Sequence, residues 1–170
     1  MRKALLVIAN KDFENTEFLH TQEETEKAKI NIIIVSKKKG TAVRTYGIKI
    51  QVDLGLDEVN VDDYDAIIFI GGIGACEYYR NKKVLSLAVK TFNKGKKTCA
   101  ICVAPLILTN VGLLKYKNVT VYKDLVQMLK EHGAKHTGKQ VEVDGKIITA
   151  NGPNAARLFG QTIIREINKQ

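Results

Sequence analysis

Lys97-Thr98-Cys99-Ala100-Ile101-Cys102-Val103-Ala104-Pro105 joins a short β-rich run to the opening of a helix, with a cysteine at the junction. Thr98 to Ile101 predicts a buried strand of small and apolar residues. Val103-Ala104-Pro105-Leu106-Ile107-Leu108 predicts the start of a buried helix. Pro105 falls in its first turn, where a missing N–H costs nothing. A side chain at such a sharp strand-to-helix turn stands above a sheet edge, and the first free N–H groups of the helix point at it. The helix dipole favours an anion there. Ala100 and Ala104 are small enough to let the turn close. Cys102 therefore reads as a nucleophile on an elbow. The competing reading is a buried structural cysteine, a common occupant of protein cores.

The same alternation extends outward in both directions. Upstream, Lys3 to Ala9, Ile30 to Val35 and Asp65 to Ile70 predict buried strands, the last ended by Gly71-Gly72. Helices are predicted over Glu14 to Ala28 and Val84 to Phe92, the second with Val84, Leu85, Ala88, Val89 and Phe92 inward. Asn10 to Phe13 reads as a loop. Thr41 to Val52 alternates, as a peripheral hairpin or edge strands do. Downstream, a helix from Val103 to Val111 closes at Gly112. Val119 to Tyr122 predicts a strand, and Lys123 to His132 a helix capped by Gly133. Gln140 to Val143 and Ile147 to Ala150 flank the hairpin turn Asp144-Gly145. A last helix spans Ala155 to Ile167, with Leu158, Phe159, Ile163 and Ile167 inward. Buried strands alternating with amphipathic helices predict an α/β chain: a mainly parallel sheet covered on both faces.

The 170 residues fit one domain with a sizeable core. No apolar run approaches the length of a membrane span. The start imitates a signal peptide, but its apolar stretch is short and runs into Asn10-Lys11-Asp12 without a cleavage site, so a first strand is expected. Three cysteines, Cys76, Cys99 and Cys102, make an odd count unsuited to a disulfide framework and point to the cytoplasm. Cys99 and Cys102 stand at CxxC spacing. Cys99 falls inside the strand rather than at the helix start, so the spacing reads as incidental. The net charge of +9 comes from 27 Lys and Arg against 18 Asp and Glu. The excess is mostly lysine in short clusters, with little arginine and no interleaved aromatics. That composition reads as a solvated surface and not as a specific nucleic-acid binder. There is no HExxH and no paired metal-spaced cysteines, so neither metal nor cofactor is expected.

Ligands of open α/β sheets bind beyond the carboxyl ends of the strands. Three features fall at such ends: the segment after Ala9 carrying Glu14 and Glu17, then Gly71-Gly72, then Cys102. Their convergence favours a working site. Cys102 supplies a thiolate, and the N–H groups of Gly72 and Val103 form an oxyanion hole. Glu17 reaches the sulfur and shares a proton with it, because two adjacent anions repel. On this reading the N–H donors lower the thiol pKa, since the rim of the sheet is expected to stay open to water.

These residues carry a resemblance. Phe13-Glu14-Asn15-Thr16-Glu17, Ile70-Gly71-Gly72, Ala100-Ile101-Cys102-Val103-Ala104-Pro105, Val143-Asp144-Gly145 and Thr149-Ala150-Asn151-Gly152-Pro153 follow one another as in the ThiJ/PfpI (DJ-one) superfamily, with its class I glutamine amidotransferase-like fold. The chain resembles that superfamily over essentially its whole length. The resemblance implies a flavodoxin-like three-layer sandwich, usually a homodimer or higher homo-oligomer. It implies that Cys102 is the reactive cysteine and Glu17 its carboxylate partner. Members called intracellular proteases carry histidine directly after the cysteine; here Val103 stands there. Glu77 matches an acidic residue that such members use across a subunit contact, but it has no histidine to orient. Glu14, Tyr122 and His20 are the candidates for the substrate pocket, with His20 a possible substitute base one turn from Glu17. His132 and His136 are expected outside the site. Three activities follow: glyoxalase- or deglycase-like attack on a small carbonyl compound, oxidation of Cys102 in a redox-sensing stress protein, or peptide and amide hydrolysis, which Val103 weakens.

Overall fold

β-Branched runs such as Ile32-Ile33-Ile34-Val35 crowd χ1 in a helix and pack well on a pleated sheet. In the computed structural model, which describes residues 2–169, they form the centre of the molecule. The elements in order are β1 (Lys3–Val7), β2 (Lys11–Phe13), α1 (Asn15–Lys27), β3 (Asn31–Ser36), β4 (Gly40–Arg44), β5 (Lys49–Val52), β6 (Leu54–Gly55) and β7 (Ala66–Phe69). There follow α2 (Lys82–Asn93), β8 (Lys97–Ile101), α3 (Pro105–Thr109), β9 (Asn118–Val119), α4 (Val126–Glu131), β10 (Lys135–His136), β11 (Val141–Asp144), β12 (Ile147–Ala150) and α5 (Ala156–Asn168). Seven strands form the main sheet in the order β11-β12-β8-β7-β1-β3-β6. Its pairs are parallel except β11 with β12, the hairpin that turns at Asp144-Gly145.

The chain steps from β1 to β3 in one direction and from β7 to β8 in the other. Right-handed crossovers therefore place α1 and α2 on opposite faces. α1 packs on α5, and α2 on α3. The order reverses between β1 and β7, where open sheets of this kind leave a crevice. Register sets the strand ends level: Val7 pairs with Val35 and with Phe69, Phe69 with Ala100, and Ile101 with Ala150. The mixed α/β sandwich with a mostly parallel sheet is the one expected.

Several local expectations shift. Lys11–Phe13 is a strand rather than a loop, paired with β4, and β4 pairs with β5 as the expected hairpin. The helix expected from Val103 begins only at Pro105, because the elbow takes residues 102–104 as a turn. It does close at Gly112, where the Leu113 N–H donates to the Leu108 carbonyl at 3.0 Å. The strand expected up to Tyr122 stops at Val119. Beyond it, the Thr120 N–H donates to Thr149 Oγ1 and the Tyr122 N–H to the Cys102 carbonyl, so neither is free for a ladder. The helix expected from Lys123 starts as a 3-10 turn and is α-helical only from Val126. In α2, Val84 and Ala88 face inward as expected, joined by Leu87 and Thr91. In α5 the inward stripe is Ala156, Phe159, Gly160, Ile163 and Ile167; Leu158 falls off it and is exposed.

Candidate active site

Cys102 follows the last residue of β8 with φ at 62°. That left-handed conformation is unfavourable for a residue with a Cβ, and strain of this kind persists only where its surroundings hold it. Here four hydrogen bonds hold it. The Cys102 N–H donates to the Ala150 carbonyl, the Tyr122 N–H donates to the Cys102 carbonyl and the Ala104 N–H donates to the Ile101 carbonyl. The Tyr79 hydroxyl donates to the Val103 carbonyl at 3.0 Å. The segments after β7 and β9 and the last residue of β12 thus brace the elbow after β8.

Glu17 enters from α1. The inward stripe of that helix is Glu17, Phe18, Thr21 and Thr25, so the carboxyl is carried into the interior with the core-facing residues and is 0% exposed. Its Oε2 accepts from the Gly71 N–H at 2.9 Å, while Oε1 is buried without a partner. The carboxyl and the Cys102 thiol lie within hydrogen-bonding reach of each other. Gly71 fills the space between them. A Cβ there would stand 2.7 Å from Glu17 Oε2 and 2.8 Å from Cys102 Cβ, closer than real contacts allow. Gly72, at φ 95°, lies against the backbone of Asp12 to Glu14. The N–H groups of Val103 and Gly72 face the sulfur.

Burial raises the Glu17 carboxyl from 4.5 to about 8. Glu14 adds to the rise, while the Cys102 and Gly71 hydrogen bonds oppose it. Burial also pushes the Cys102 thiol up. The Glu17 carboxylate pushes it further, and the Val103 and Gly72 N–H groups pull it down. The lowered thiol pKa expected from sequence is not met. The rim is not open to water at this point, Cys102 being 7% exposed, and α3 is too short to supply the expected dipole. Burial likewise raises Cys99, fully enclosed within β8. Cys76 is exposed.

The other candidates divide. Glu14 is the N-cap of α1: its Oε2 accepts from the Glu17 N–H at 2.6 Å, fixing the start of the helix that carries Glu17. Among the described residues no hydrogen bond joins His20 to Cys102, Glu17 or Glu14, and His20 lies off the inward stripe of α1. Tyr122 reaches the site. It lines a cavity of about 430 Å³ shared with His136 and with Asn151 to Asn154, so His136 is nearer than expected. A second cavity, of about 540 Å³, lies between Asn10 to Asp12, Lys37-Lys38 and the segment Ile73 to Glu77. Tyr79 was not anticipated; beside Tyr78, nothing in the sequence marks it. Among the described residues no group of His, Cys, Asp or Glu could hold a metal.

The model of the DJ-1/PfpI family matches residues 2–166. The chain belongs to the DJ-1/PfpI family. It is 41% identical to an uncharacterized protein of Methanocaldococcus jannaschii over 98% of this chain and 83% of that one. It is 31% identical to the Pyrococcus furiosus deglycase PfpI over 89% and 90%. The solved ThiJ/PfpI domain protein of Brachyspira murdochii superposes with a TM-score of 0.96 at 26% identity, covering 99% of this chain and 97% of the other. Among the described residues of this family member, no helix is long and apolar enough to cross a membrane.

Proposed function

We propose that this DJ-1/PfpI member is a cysteine-dependent enzyme acting on small reactive carbonyl compounds or their adducts, with Cys102 as nucleophile and Glu17 as proton carrier. The observation that carries this reading is the shared burial of Glu17 and Cys102 around Gly71. A deglycase among the relatives supports the substrate class. Glu17, at about 8, keeps its proton at neutral pH. While it does, the nearest charge opposing a thiolate is absent, and its free Oε1 can carry a donor to the sulfur. The Cys102 thiol loses its proton to water, and the thiolate attacks the carbonyl carbon. The S–C bond forms, the π pair moves onto oxygen beside the N–H groups of Gly72 and Val103, and the Glu17 proton passes to that oxygen. The product is a hemithioacetal, and the Glu17 carboxylate is the base for the next transfer.

The second reading is a redox-sensing stress protein in which Cys102 is oxidised stepwise to sulfinic acid, steadied by the same donors. The peptidase reading is weakest, since Val103 leaves no histidine beside the sulfur. A panel of dicarbonyls and fluorogenic peptides on wild type and Cys102→Ser separates the three. Dicarbonyl turnover abolished in Cys102→Ser is the expected result. Cys102-dependent peptide cleavage would overturn it. No turnover, with Cys102 oxidised by mild peroxide, would favour the redox role.

A further inference from the structure

We propose that the cavity between Tyr122, His136 and Asn154 is an anion subsite, which directs the enzyme to aldehydes or ketones carrying a carboxylate or phosphate. The substrate half of this inference rests on the carbonyl reading above; the binding half does not.

The cavity begins at the elbow. The Tyr122 N–H donates to the Cys102 carbonyl and the Cys102 N–H to the Ala150 carbonyl, both at 2.9 Å. Tyr122 and Asn151, the residue after Ala150, are both in the cavity wall. The wall of this space therefore adjoins the Cys102 backbone on two sides. The wall holds Lys123, His136, Gln140, Asn151 and Asn154 and no carboxylate. Lys123 makes no ion pair among the described residues, so its charge is uncompensated. The Lys130 charge also reaches His136, which burial and Lys130 hold below the usual histidine value. Gln140, Asn151 and Asn154 add side-chain amide donors to the same wall.

The other cavity on this rim gives the contrast. Lys11, Lys37 and Lys38 there stand with Asp12 and Glu77, whose carboxylates would repel an anionic tail. The two linings carry similar net charge, three lysines against two carboxylates there and Lys123 alone here; the Tyr122 side differs in setting no carboxylate beside its cation. A volume of about 430 Å³ suits a small substrate tail. The +9 net charge steers anions toward the molecule as a whole but cannot select this site.

The test has a binding arm and a turnover arm. In the first, histidine ring resonances are followed by NMR while inorganic phosphate or malonate is added at constant ionic strength, with His136→Gln identifying its own signal. The His136 resonances should move saturably while those of His20 and His132 do not, and Lys123→Gln should weaken binding about tenfold. Saturation by phosphate alone or malonate alone would name the preferred anion. Equal drift of all three histidines, or an unchanged affinity in Lys123→Gln, would overturn the subsite. In the second arm, kcat/KM for 4,5-dioxopentanoate, an oxoaldehyde with a carboxylate tail, is divided by that for neutral methylglyoxal. Lys123→Gln should lower this ratio about tenfold. Saturable binding without turnover of either compound would sink the carbonyl reading and leave the subsite standing. Turnover with an unchanged ratio would do the reverse.

Discussion

A carboxyl group buried without a cation is held protonated by its surroundings, and Glu17 is the clearest case in this molecule. Its folded pKa of about 8 lies above the 4.5 of the free carboxyl, so the folded chain binds the extra proton. Stability should therefore fall as the pH climbs from about 4.5 to about 8, and level off above. Glu17→Gln keeps the shape of the side chain and removes the titration. The variant should lose this slope and be more stable than wild type at pH 9, by on the order of a few kcal/mol relative to pH 5. Thermal unfolding of both proteins at the two pH values is the measurement, and parallel curves would refute the assignment. At this scale the sequence was informative about identity and silent about depth. The order of elements puts Glu17 on a helix beyond the end of the first strand, and the elbow pattern puts Cys102 at a strand end. How far each lies below the surface depends on Gly71, Gly72 and the β9–α4 segment closing around them. No local pattern encodes that, so the thiol pKa rises where the sequence predicts a fall.

Secondary elements matter here through the segments that leave them. The 3-10 segment after β7 follows Gly72, which faces Cys102, and two turns later sends the Tyr79 hydroxyl to the Val103 carbonyl. The Asn110 side-chain amide in turn donates to the Tyr79 carbonyl at 2.7 Å, tying that segment to the end of α3. Tyr79 is thus a positioning residue for the elbow. Tyr79→Phe keeps the ring and removes one hydrogen bond, worth about 1 kcal/mol. The fold should survive with circular dichroism unchanged, while iodoacetamide labelling of Cys102 changes rate. Equal rates at Cys102 in variant and wild type would leave Tyr79 with a packing role only. Strands with β-branched runs were legible because periodicity and burial agree in β1, β3, β7 and β8. The short elements were not. β2 and β6 exist because the longer β4 and β3 offer them partners, while β9 and β10, two residues each, pair with one another. The same long-range pairing drew Tyr122 out of a ladder and onto the elbow.

At the scale of the whole molecule, one face carries more exposed apolar surface than a solvated chain needs. Tyr46 and Ile73 are 93% and 78% exposed, and Ile48 is 47% exposed. The segments bearing Tyr46 and Ile73 both pack against β2, so they flank one strip. Beside the turn of the same hairpin Arg44 keeps Nε and Nη1 buried with no acceptor among the described residues, an arrangement costly for a charged donor. An apolar strip beside buried donors suits a surface covered by another chain. We propose that the homodimer or larger assembly expected from the family resemblance and the alternating hairpin meets at this strip. A second copy seated on this strip would bury Ile73 and bring an acceptor to Arg44. It would also close the cavity lined by Lys11, Lys37 and Glu77, leaving the Tyr122 side of Cys102 as the open approach. Light scattering at micromolar concentration should give at least twice the chain mass. Ile73→Glu places a charge in the strip and should shift the protein toward monomer with its circular dichroism unchanged. A monomeric wild type would refute the assembly. An assembled Ile73→Glu of wild-type mass would place the interface elsewhere and return the exposed strip to solvent.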